Sequence, residues 1–113
     1  MTERLTIALA KGATFAAVVA VGEFDRDDAS RLAAYVDAVA FTFDGRIDLD
    51  LRGLERIDAH GVRMLLGLRR RLGRRLRIVP SEGVARAVHF VALSERNRRE
   101  GAEDKKAPGR APR

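Results

Sequence analysis

The stretch RIDLDLRGLERIDAHGVRMLLGLRRRLGRRLRIV, residues 46–79, contains a change of hydrophobic period that decides the fold. Ile47, Leu49 and Leu51 alternate with Asp48 and Asp50, the period-2 pattern of a strand with one apolar face, predicted over residues 46–50. Leu54 and Ile57 carry apolar contacts into the following loop. From residue 61 the spacing becomes helical and predicts a helix to residue 74. Val62, Met64, Leu65, Leu66, Leu68 and Leu72 share one side, and Arg63, Gly67, Arg70, Arg71 and Arg74 the other. Only Arg69 falls within the apolar arc, where its long stem can lie along apolar surface. Residues 76–79 read as a strand stopped by Pro80, which has no N–H to give a ladder. Strand, helix and strand in this order imply a right-handed crossover between parallel strands.

Working outward, Leu5, Ile7 and Leu9 alternate with Thr6, Ala8 and Ala10, predicting a strand over residues 5–10. Gly12 and Ala13 allow a turn, and the unbroken apolar run at 15–21 reads as a strand covered on both faces, ended by Gly22. Asp25, Asp27 and Asp28 precede an alanine-rich stretch. There, carboxylates suit the free amides and positive end of a helix at 28–40, with Leu32, Tyr35, Val36 and Val39 on one side. A last helix at 83–93 turns Val84, Ala87, Val88 and Val91 inward and Arg86 and His89 outward. Residues 94–113 hold seven basic and four acidic side chains, two prolines and no large apolar residue, and read as a disordered basic tail. The expected architecture is one α/β domain, residues 1–93. Its mixed sheet of four to five strands has a parallel centre, and its helices pack mainly on one face.

A chain of 113 residues supports one core. With no cysteine it has neither disulfides nor thiolate chemistry, which fits a reducing, cytoplasmic home. The apolar run at 13–21 is too short to span a bilayer and follows Lys11, so neither a transmembrane segment nor a cleaved signal is expected. Charge is divided unevenly: residues 1–58 carry 7 basic and 11 acidic side chains (net −4), residues 59–113 carry 15 and 5 (net +10), giving +6 overall. One end should therefore be strongly electropositive, a charge that suits nucleic acid, an acidic membrane or an acidic protein.

Catalysis has little to work with. His60 and His89 lie on separate predicted helices without metal-ligand spacing, so no metal is expected. The lysines, Lys11, Lys105 and Lys106, follow no phosphate-cradling glycine loop, so no nucleotide-hydrolysing site and no cofactor are expected. One tyrosine and no tryptophan leave few platforms for stacking bases. What stands out is Ile57-Asp58-Ala59-His60-Gly61, where a loop meets the arginine-rich helix and Asp58 is placed to cap the helix start.

The segment Leu49-Asp50-Leu51-Arg52-Gly53-Leu54-Glu55-Arg56-Ile57-Asp58-Ala59-His60-Gly61-Val62 resembles the signature of STAS domains, the sulfate transporter and anti-sigma factor antagonist family. In that family an Asp-Leu strand and a short apolar loop lead to Asp-Ser-Ser/Thr-Gly at a helix start. Gly22-Glu23-Phe24-Asp25 is similar to the family's Gly-Glu-Leu-Asp turn, and the resemblance spans residues 5–93. It implies a protein-binding surface that includes Asp25, Asp58, Ala59, His60, Gly61, Arg63 and Gly67. It also implies a phosphoacceptor serine at the position of Ala59, and here the chain departs from the pattern. Ala59 and His60 carry no hydroxyl, and none lies between Thr42 and Ser81, so the usual phosphoswitch is not expected to operate.

The resemblance implies a non-catalytic regulator that binds an anti-sigma factor-like protein. An alternative is a small STAS subunit that binds the ATPase of a lipid-transporting ABC system. A third reading, a nucleic-acid-binding protein, rests on the arginines of residues 63–77 and the tail. It is the least favoured, because an arginine-rich outer helix face is usually a solvated surface. The sequence leaves the oligomeric state open.

Overall fold

The structure, a computed structural model, describes the backbone of residues 4–106 and the side chains of residues 4–94 and 96. Four strands, β1 (Thr6–Lys11), β2 (Phe15–Val21), β3 (Arg46–Gly53) and β4 (Leu76–Pro80), form one sheet in the order β1-β2-β3-β4. β1 runs antiparallel to β2, and β2, β3 and β4 are parallel. Helices α1 (Asp28–Thr42) and α2 (Ala59–Leu72) are the two crossovers, a 3-10 turn at Gly73–Arg75 leads into β4, and α3 (Glu82–Lys106) follows it.

Register puts the apolar positions on one face. Ala16 lies beside Ile47 and Val18 beside Leu49, while Ile47 and Leu49 lie beside Leu76 and Ile78. Against this face pack Leu32, Val36 and Val39 of α1, Leu65 and Leu68 of α2, and Val84 of α3. Among the described residues, no helix covers the opposite face. Ala17 and Val19 are only half-buried there and Val21 is 45% exposed, so the expectation that β2 is covered on both faces is corrected. Its small side chains need no second layer, because β1 and β3 flank them. On the same open face Arg52 clasps Asp50 at 2.8 Å and donates its own N–H to that carboxylate at 3.0 Å. The guanidinium bond, ahead of the other contributions, holds the Asp50 carboxyl below the usual carboxylate range.

The helix ends explain the joints between layers. Asp27, the N-cap of α1, makes no side-chain cap; instead Asp28 Oδ2 reaches back to accept from the Asp25 N–H at 2.7 Å. Arg31 bridges Asp28 Oδ1 at 3.0 Å and the Leu5 carbonyl at 2.9 Å, tying the entry of β1 to α1. At the other end of α1, Arg75 donates to the carbonyls of Ala40, Phe43 and Gly45, so this arginine closes a helix C-terminus rather than facing solvent. Ser81 caps α3: its Oγ accepts from the Val84 N–H at 3.1 Å and donates to the Leu54 carbonyl.

Helix α3 continues to Lys106, which corrects the expected helix end at Leu93. Residues 94–106 contain no proline and are rich in Glu, Arg and Lys, good helix formers that can extend an established helix with little apolar burial. Both tail prolines, Pro108 and Pro112, fall in residues 107–113, outside the described residues.

Candidate functional site

The amino terminus of α2 is assembled from two segments distant in sequence. Asp58 adopts an extended backbone, φ −89° and ψ 177°, and its Oδ1 accepts from the Gly61 N–H at 2.8 Å. This is the cap expected of it, worth about 1 kcal/mol in helices generally. Gly61 is buried at the point where the loops meet: a Cβ there would overlap Ile57 Cγ1 and lie 2.7 Å from Phe24 Cε1. Phe24 thus brings the Gly22-Glu23-Phe24-Asp25 turn against the helix start. That turn requires its glycine, since Gly22 has φ +119° and a Cβ would meet the Arg4 carbonyl oxygen at 2.5 Å.

Two grooves flank this helix start. Between α2 and α3 lies a broad apolar groove of about 850 Å³, lined by Ile57, Ala59, Val62, Ala85, Phe90 and Leu93 among others. Phe90 is 70% exposed and Leu93 46% exposed, both large apolar side chains. Between α1 and α2 lies a groove of about 390 Å³, bordered by Arg26, Ser30, His60, Arg63 and Arg71. Its floor is small and apolar: Ala29, Ala33, Met64 and Gly67. Arg71 meets Asp37 of α1 at 3.0 Å, and His60 Nδ1 stands 3.9 Å from Asp58 Oδ2.

The candidate residues therefore separate. His60, Arg63 and Gly67 share the α1–α2 groove, and Asp58 and Ala59 line the α2–α3 groove. Asp25 lies in a third depression beside Arg4 and Asp28. Gly61 is internal and shapes the site through packing. Sequence reasoning did not include Phe90 and Leu93, although a helical wheel through Val84, Val88 and Val91 places both on the outward side with Arg86. It also did not include Arg26, Ser30 and Arg71 as groove residues, because only the packing of α1 on α2 unites them. Arg69, placed within the apolar arc, is exposed.

The fold and site define a small α/β domain with helices on one side of a mixed sheet, whose exposed feature is a capped helix start between grooves. Among the described residues, no group of three or more His, Cys, Asp or Glu side chains could hold a metal ion, and no helix is long and apolar enough to cross a membrane. The family described as "Mlab, STAS domain" matches residues 7–94, and the chain belongs to this STAS domain family. Two solved structures share the fold. An anti-sigma factor antagonist from Mycobacterium paratuberculosis is 21% identical, with 81% of each chain covered and a TM-score of 0.69. The anti-sigma factor antagonist SpoIIAA in its unphosphorylated form is also 21% identical, with 78% of this chain and 82% of that chain covered and a TM-score of 0.62. No curated protein matches the chain.

Proposed function

We infer that this chain is a non-catalytic, cytoplasmic regulator that binds another protein through the first turns of α2, as an anti-sigma factor antagonist does, without the serine phosphoswitch. The observation that supports this reading most is the setting of Ala59. It is exposed at the first position of α2, at the edge of an apolar groove where Phe90 and Leu93 are also exposed. An exposed aromatic beside a concave apolar surface is the usual anchor of a protein interface. Ala59 and His60 offer no phosphoacceptor hydroxyl, which suits constitutive binding or a partner that is not a kinase. The same lack of a hydroxyl suits the second reading, a STAS subunit seated on the ATPase of a lipid-transporting ABC system.

Affinity capture from the source cell, with the retained protein identified, separates the two. An anti-sigma factor-type protein supports the first reading and an ABC-type ATPase the second. Capture that is equally efficient with Ala59→Glu as bait would remove this surface from either reading. The purified chain should hydrolyse neither ATP nor GTP. Turnover that disappears with Asp58→Ala would contradict the non-catalytic reading.

A further inference from the structure

We propose that the groove between α1 and α2 seats an acidic helical segment of the partner, an inference that rests on the protein-binding reading above and specifies what is bound. The side chains lining this groove include four basic ones, Arg26, His60, Arg63 and Arg71, and no carboxylate. The sequence is biased in the same direction: residues 59–81 contain seven arginines and neither Asp nor Glu. Of these, Arg75 is committed to the carbonyls at the end of α1. Arg71 is held only at the surface, since its pair with Asp37 leaves the two side chains 53% and 48% exposed. Exposed pairs of that kind contribute little and exchange partners readily.

The geometry suits a helix. His60, Arg63, Gly67 and Arg71 recur every three or four residues, so they form one stripe along α2. Arg63 and Arg71 are eight residues apart, or about 12 Å along the axis. A partner helix lying beside α2 at the usual separation of about 8–10 Å would meet them with carboxylates at the same spacing. Gly67 sits between the two arginines, and the nearest atom to a Cβ placed there is Arg71 Nη1 at 3.5 Å. Nothing in the chain's own packing requires that glycine, and a mid-helix glycine weakens a helix. Its absent side chain keeps the floor low at the point where a second helix would approach most closely.

Other anionic macromolecules fit less well. No Phe, Tyr or Trp lines the groove to stack on bases. Its apolar atoms form a floor rather than a protruding face that could enter a lipid interface.

The test uses the full-length chain, labelled with ¹⁵N, and a synthetic helical peptide carrying two glutamates eight residues apart with alanine between them. A matched peptide with lysines in their place is the control. The acidic peptide should shift the amides of Ser30, Ala33, His60 and Gly67, and the lysine peptide should not. Arg63→Glu should weaken the acidic peptide by at least about tenfold, as should Gly67→Leu, and raised salt should weaken it as well. The inference is overturned by no shifts, by the same shifts with both peptides, or by shifts confined to the Phe90 groove. It is also overturned if a short RNA duplex or phosphatidylglycerol vesicles shift these amides while the acidic peptide does not. A captured partner that binds Arg63→Glu and Gly67→Leu as tightly as the natural chain would remove this inference and leave the protein-binding reading standing. A chain that captures no protein would remove that reading, while the peptide titration still reports on the groove.

Discussion

Replacing Gly67 with alanine sets the stability of α2 against what α2 binds. The residue lies well inside a helix that runs from Ala59 to Leu72, so both its neighbouring turns are formed. In such a position alanine is favoured over glycine by about 1 kcal/mol, because glycine loses more backbone freedom on folding. A new Cβ meets nothing closer than Arg71 Nη1 at 3.5 Å, ordinary contact with the mobile end of a side chain, so no steric term offsets the gain. For a domain of this size, 1 kcal/mol corresponds to a rise in thermal midpoint of roughly 4–8 °C. Thermal unfolding followed by circular dichroism measures it directly. A midpoint that is unchanged or lowered would refute the reasoning and show that Gly67 is needed by the fold. The contrast is Gly61→Ala, where the Cβ would overlap Ile57 and crowd Phe24. Overpacking there should outweigh the helix gain and lower stability by about 1–3 kcal/mol.

Asp58→Ala removes the side-chain acceptor for the Gly61 N–H and should cost about 0.5–2 kcal/mol in denaturant unfolding, with Asp58→Asn recovering most of it. Arg75→Met keeps an apolar stem but strands the carbonyls of Ala40, Phe43 and Gly45, so stability should fall by about 1–3 kcal/mol. The Asp50 carboxyl is held below its ordinary value in the folded state. Its contribution is therefore complete above the unfolded value of about 3.9 and is lost as pH falls from there through the folded value. Asp50→Asn should accordingly lose less thermal stability than the natural chain on acidification from about pH 5 to pH 3, and equal losses would contradict the assignment.

The elements that carry strict periodicity were legible. Ile47, Leu49 and Leu51 face the core and Asp48 and Asp50 the other side, as their alternation requires, and the broad apolar arc of α2 supplies Val62, Leu65 and Leu68 to the interior. Where periodicity is silent, the reading erred. The run at 15–21 consists, after Phe15, only of alanine and valine, which says nothing about a covered or open face. Residues 94–106 lack the apolar side chains that would mark a packed helix, yet they have the propensity to prolong one already begun at Ser81. Of the candidate site, Asp58 as cap was local and readable, because it involves Gly61 three residues away. The roles of Arg75 and Arg71 were not, because each depends on α1, more than thirty residues back along the chain. Phe90 could have been found from its place on the polar side of α3.

The most direct test of the central claim, that the start of α2 is the docking surface, is a calorimetric titration of the captured partner into the natural chain and into Ala59→Glu. No acidic residue occupies the first turn of α2, so a glutamate there suits the helix dipole and should leave the thermal midpoint unchanged or slightly raised. The same charge buried against a partner without a counter-charge costs a few kcal/mol, which is on the order of a hundredfold in affinity. Affinity should fall by that factor with the fold intact; an affinity equal to that of the natural chain would place the interface elsewhere.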